Sequence, residues 1–159
     1  MKIRKIGKLV ISLSLPLGIG GVAGMFTAKA IPVWYASLNK PSFNPPNWIF
    51  GPVWTMLYLL LGISLFMIWS LETGKEHKQA ILAFILQLFL NFGWSFLFFY
   101  SRMIGVALIE IAALWIAIIL MLLRFYRIKP TAAYINIPYL VWVTFASLLN
   151  AAYYLLNRS

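Results

Sequence analysis

Five apolar runs, Leu9 to Phe26, Phe50 to Leu71, Gln79 to Tyr100, Ile104 to Phe125 and Ala133 to Leu156, each approach the length of about 20 residues that carries a helix across a hydrocarbon core. Nothing else in the chain constrains its fold so strongly. Backbone amides in lipid need internal partners, and these runs lack the alternation of barrel strands, so the expected fold is all-α, an integral membrane bundle of five transmembrane helices. Composition agrees. With 63% hydrophobic and 10% charged residues, a chain of 159 residues has too little polar surface to coat a water-soluble globule. No internal repeat, low-complexity stretch or composition shift divides the chain, and residues 1–159 read as one helical domain.

The net charge of +10 is not a nucleic-acid footprint, because the basic residues stand in short clusters between apolar runs rather than along one solvated stripe. Lys2, Arg4, Lys5 and Lys8, then Lys75 and Lys78, then Arg124, Arg127 and Lys129 fall on one side of the membrane. The other side has only Lys29, Lys40, Arg102 and Arg158. This bias predicts a cytoplasmic N-terminus and places the first loop, Thr27 to Ile49, on the far side. The basic start with Ala28-Lys29-Ala30 imitates a secretory signal and its cleavage site. The apolar part exceeds a typical signal core, so the segment is read as a retained span. The absence of cysteine excludes disulfides, thiolate metal sites and cysteine nucleophiles. His77, in ETGKEHK with Glu72 and Glu76, lacks a second ligand at metal-binding spacing and reads as a solvated loop residue; no metal site is expected.

The long first connection runs into the second apolar segment through an aromatic, proline-rich stretch that holds Trp34, Tyr35, Phe43, Trp48, Phe50, Trp54 and Tyr58. Pro41, Pro45, Pro46 and Pro52 pre-set φ and lower the entropy lost on ordering. One long loop among short ones is usually functional or disordered, and this composition favours an ordered lid or binding surface.

Inside the third run Gln87, Asn91, Trp94 and Phe98 recur at helical spacing and share a face. The fifth run repeats the pattern with Trp142, Ala146 and Asn150, and carries Asn136 as well; Ala146 leaves room beside the indole for a ligand or a neighbouring helix. Trp54 and Tyr58 lie one turn apart beneath the loop. Taken singly, such amides serve as interhelical glue and such aromatics as interfacial belts. Placed together under one lid, they suit a large, flat, mostly apolar ligand: aromatic faces stack on a π-system and amides orient its polar edge. Glu110 is the one acid at membrane depth, readable as a proton relay, a partner for a ligand group, or a hydrogen-bonded structural carboxyl. Gly20 and Gly24 form G-x-x-x-G, which permits close helix approach within the bundle or between two copies. Leu149, Tyr153 and Arg158 fit the loose pattern proposed for cholesterol contact.

These residues together resemble the TspO/MBR family of translocator proteins and tryptophan-rich sensory proteins. The resemblance rests on Trp34-Tyr35, Lys40-Pro41-Ser42, Pro45-Pro46, Gly51-Pro52-Val53-Trp54 with Tyr58, Gln87 with Asn91 and Trp94, and Pro138-Tyr139, Trp142, Phe145-Ala146 and Asn150. It implies a bundle in a bacterial cell membrane, usually a homodimer, whose cavity is closed by the first loop and binds porphyrins such as protoporphyrin IX, benzodiazepine-type compounds and sterols. Trp34, Pro45, Trp54, Tyr58, Gln87, Asn91, Trp94, Trp142, Ala146 and Asn150 are the ligand-binding residues the resemblance implies. Trp54 and Trp142 match tryptophans implicated in light-dependent porphyrin breakdown. No cofactor is required, porphyrin being the ligand. Binding as a sensor or regulator, photo-oxidative degradation, and transport of porphyrin or sterol are the three functions this leaves open, with no inverted repeat to support alternating access. Phe43 stands where many relatives carry tryptophan, and the third run lacks a G-x-x-x-G such as some relatives use to dimerise.

Overall fold

The computed structural model describes residues 2–71 and 74–158, and among them five helical segments are long and apolar enough to cross a membrane: Lys5–Tyr35, Asn47–Trp69, Lys75–Tyr100, Ile104–Ile128 and Pro130–Leu156. The expected integral membrane bundle is therefore present. Helix α1, Lys2–Ala30, packs along α2, Phe50–Trp69, and its loop-side end leans on α3, Lys75–Ser95. Helix α4, Ile104–Ile128, lies against α3 and against the fifth span, which is divided into α5, Pro130–Tyr134, and α6, Ile137–Leu156. Glu72, one of the acids near His77, lies outside the described residues.

Two expected boundaries move, and proline explains both. The first span does not stop near Phe26 but continues through a π-helical turn, Ile31–Tyr35, so Trp34 and Tyr35 are helical rather than part of the loop. Pro32 has no N–H to donate to the carbonyl four residues earlier and its ring would collide with it; widening the turn relieves the clash without ending the helix. The irregular part of the connection shrinks to residues 38–46, and a 3-10 turn, Asn47–Ile49, leads into α2. In the fifth span, Pro138 imposes the break between α5 and α6. The Asn136 side chain donates to Ala132 O at 2.9 Å, and the Asn136 backbone carbonyl accepts from the amides of Tyr139 and Leu140, which bridges the interruption.

Each helix buries one stripe. On α4 these positions are Ala107, Ile111, Leu114, Ile118, Met121 and Phe125, at the spacing of a helical seam, while Ile109, Ile116 and Leu123 face outward. Phe84 of α3 stacks on Phe125 with ring centroids 6.3 Å apart. Large apolar side chains cover the outside as well as the core, the distribution expected where the surrounding solvent is lipid. At the ends of α1 and α2 away from the loop, Lys8 Nζ donates to Trp69 O at 2.8 Å. A Cβ placed on Gly62 would lie 2.8 Å from Ser12 O and 2.9 Å from Leu13 Cα.

Candidate functional site

Two hollows lie on the loop side of the bundle, and four aromatic residues, Phe50, Trp54, Trp94 and Phe99, wall both. The larger, of 490 Å³, sits between α1 and α2, with Gly20, Gly21, Gly24 and Ala28 on one side, Gly51, Trp54, Thr55 and Tyr58 on the other, and Ser95 behind. The smaller is a slot of about 20 Å³ enclosed by Trp54, Trp94, Trp142, Phe145, Ala146, Asn150 and Tyr153 among others. Trp54 and Trp142 share that slot. Their rings meet edge to face at 6.5 Å, and Trp54 also lies 6.2 Å from Trp94 and stacks on Tyr58 at 5.6 Å. No Lys, Arg, Asp, Glu or His lines either hollow.

The amides hold these rings in place. Trp94 Nε1 donates to Asn150 Oδ1 at 3.0 Å, and Asn150 Nδ2 donates to Ile104 O at 3.0 Å, which ties α3, α6 and the start of α4 together. Beneath the larger hollow Tyr58 OH donates to Asn91 Oδ1, Asn91 Nδ2 donates to Tyr139 OH at 3.0 Å, and Tyr139 OH donates to Gln87 Oε1 at 2.8 Å. All four side chains are buried, so the chain links three helices where water is excluded. Among the buried donors without a partner in the described residues are Gln87 Nε2 and Trp142 Nε1. The second belongs to the slot itself.

The sequence-derived site residues therefore separate into three groups. Trp54, Tyr58 and Trp94 line the larger hollow, and Trp54, Trp94, Trp142, Ala146 and Asn150 line the slot. Gln87 and Asn91 lie behind the wall and act through Tyr58 and Tyr139. Trp34 and Pro45 line neither hollow: Trp34 packs edge-on against Phe98 at 5.6 Å, and the Pro45 carbonyl accepts from Asn44 Nδ2 at 3.2 Å. Glu110 also lies outside both linings. Its carboxyl oxygens are enclosed without a hydrogen-bond partner among the described residues, and Gly93 makes room for it, since a Cβ there would stand 3.3 Å from Oε1.

Asn39, Asn44 and Asn157, which the sequence did not single out, hold the loop. Asn44 Oδ1 accepts from Tyr35 OH at 2.8 Å and Tyr153 OH at 2.9 Å. Asn39 and Asn157 exchange hydrogen bonds at 2.9 and 3.0 Å, which fastens the loop to the end of α6. Lys40 Nζ sits 5.6 Å from the centre of the Tyr35 ring, and Phe43 meets Phe145 at 6.4 Å. A signal was present for the tyrosines: positions 139, 143, 146, 150 and 153 repeat at 4, 3, 4 and 3, and all are buried on α6. Asn44→Ala removes the shared acceptor and is expected to speed proteolysis within residues 38–46 several-fold, while the thermal midpoint falls only slightly. Limited proteolysis of folded protein checks this; an unchanged cleavage rate contradicts the anchoring role.

The model of the TspO/MBR family matches residues 12–155. A tryptophan-rich protein TspO of Archaeoglobus fulgidus is 46% identical over 151 residues, covering 94% of this chain and 97% of that protein. The human translocator protein is 38% identical over 120 residues, 74% of this chain and 70% of its own length. A tryptophan-rich sensory protein of Cereibacter sphaeroides is 33% identical over 117 residues, 74% of this chain and 72% of its own.

Proposed function

Because this chain belongs to the TspO/MBR family, we propose that it binds a tetrapyrrole, protoporphyrin IX in the first instance, and acts as a membrane sensor or regulator of porphyrin or stress metabolism. The observation that carries the reading is the slot's chemistry: the indoles of Trp94 and Trp142 each within 6.5 Å of that of Trp54, no charged lining residue, and an enclosed Trp142 Nε1 with no acceptor among the described residues. A planar macrocycle supplies both a π-face for the rings and a polar edge for that donor. At about 20 Å³ the slot must widen to admit one, and the adjoining hollow gives the Trp54 ring somewhere to go. Propionates at the ligand's edge would lie toward the loop, where Lys40 is the nearest loop cation in sequence to the wall residues. Assembly as a homodimer, sterol binding and a cytoplasmic N-terminus belong to the same proposal.

Trp54→Ala and Trp142→Ala are each expected to weaken protoporphyrin binding about tenfold or more, from lost stacking area and, for Trp142, the lost donor. Fluorescence titration of folded protein in detergent measures it. Titration curves unchanged in both variants reject the pocket assignment.

The neighbouring indoles also favour a second reading, light- and oxygen-dependent porphyrin breakdown with an indole taking part in electron transfer. Trp54→Phe and Trp142→Phe retain an aromatic face but lose the indole, and should slow formation of a distinct product under illumination. Equal bleaching of free porphyrin would make catalysis unnecessary. Transport is separated from binding by flux into sealed proteoliposomes, since a binder saturates at its own protein content.

A further inference from the structure

The larger hollow exists because α1 and α2 diverge. At Gly62 the helices touch through backbone, and at Gly20 an added Cβ would fall within the Tyr58 ring's own volume. One turn further, Gly21 and Gly24 have nothing within 4 Å of a built Cβ. The upper half of α1 leans the other way: Phe26 packs against Phe92, Phe96 and Tyr100 at 6.2, 5.9 and 5.3 Å. The result is a wedge between α1 and α2. Both of its rims, Gly21, Gly24 and Ala28 on α1 and Gly51 and Thr55 on α2, are exposed within membrane-spanning segments. The wedge thus opens sideways to hydrocarbon.

We propose that this wedge is a binding site for one acyl chain of a bilayer phospholipid from the loop-side leaflet. Four observations select that occupant. The foot of the wedge, Leu17 with Gly20 and the Tyr58 ring, is apolar, and the mouth carries Asn47 and Trp48, the latter 73% exposed as interfacial tryptophans are. That gradient has the orientation of a loop-side lipid, head outward and tail inward. Thr27 and Thr55 spend their hydroxyls on their own helices, at Ala23 O and Gly51 O, and present no polar demand to a chain. Ser95, only 7% exposed, lines the hollow behind the two rims, and its small side chain leaves the depth that a chain needs. No cation lines the wedge, which disfavours a free fatty carboxylate.

The wedge shares Trp54 with the porphyrin slot, but its occupant is read out without porphyrin. The full chain reconstituted into phosphatidylcholine vesicles with a diazirine on one acyl chain provides the test, with labelled residues located by peptide mass spectrometry. Label is expected on Ser95 and Phe99, which are 7% and 9% exposed and of which Ser95 lines the wedge but not the slot, as well as on the outward Ile109 and Ile116. Gly24→Leu and Ala28→Leu each fill the wedge from α1. Both should lose the label at Ser95 and Phe99 and keep it at Ile109 and Ile116, which also reports that the bundle is intact. Absence of label at Ser95 and Phe99 in the wild type, or label there that survives both fillings, overturns the proposal.

Discussion

Gly62→Leu is expected to be the most damaging single substitution on the α1–α2 seam. The Cβ alone would stand 2.8 Å from Ser12 O and 2.9 Å from Leu13 Cα, and backbone cannot rotate out of the way as a side-chain tip can. The nearest side-chain atom, Leu13 Cδ2, is equally close at 2.9 Å. Overpacking a close-packed site ordinarily costs about 1–3 kcal/mol, and a backbone clash belongs at the upper end or beyond. Helix α1 must back away, which breaks the Lys8 bond to the Trp69 carbonyl at the end of α2. Gly24→Leu is the internal control. It adds the same side chain where nothing lies within 4 Å, and its cost should stay within about 0.5 kcal/mol. Thermal or denaturant midpoints in one detergent compare the two, and equal midpoints would refute the tight seam.

The second large effect is expected from Asn91→Leu. The amide accepts from Tyr58 OH and donates to Tyr139 OH, so its loss leaves the Tyr58 hydroxyl without an acceptor and strips Tyr139 of one of its two partners, all in side chains at most 5% exposed. Orphaned buried groups cost about 1–3 kcal/mol each in soluble proteins. Interhelical bonds in membranes run lower, roughly 0.6 kcal/mol on average, because the unfolded reference finds partners there too. The expected loss is therefore about 1–3 kcal/mol in total rather than a multiple of it. Tyr58→Phe removes one donor and should cost less; a double-mutant cycle between the two positions reads their coupling directly. Stability of Asn91→Leu equal to wild type would mean that the network contributes nothing. A second readout follows from position. Tyr58 lines the wedge and stacks on Trp54, so freeing its hydroxyl should also perturb the indole fluorescence.

Five spans and a buried amide face on α3 could be written down from linear order alone, since run length against bilayer thickness and the 3.6-residue period act within one segment. Gln87, Asn91, Trp94 and Phe98 share their face for that reason, and Trp54 and Trp142 were recognisable from their spacing to neighbours on their own helices. Other features arise between segments. Gly20 and Gly24 carry the same local signal, yet one meets the Tyr58 ring and the other borders open space, because Phe26 draws α1 toward α3 while Gly62 holds it to α2 below. Asn44 and Asn39 look like ordinary loop residues until Tyr153 and Asn157 arrive from more than a hundred positions away. Local periodicity says which side of a helix is buried; only the docking of helices, settled by packing over the whole bundle, decides where they touch and where a gap is left.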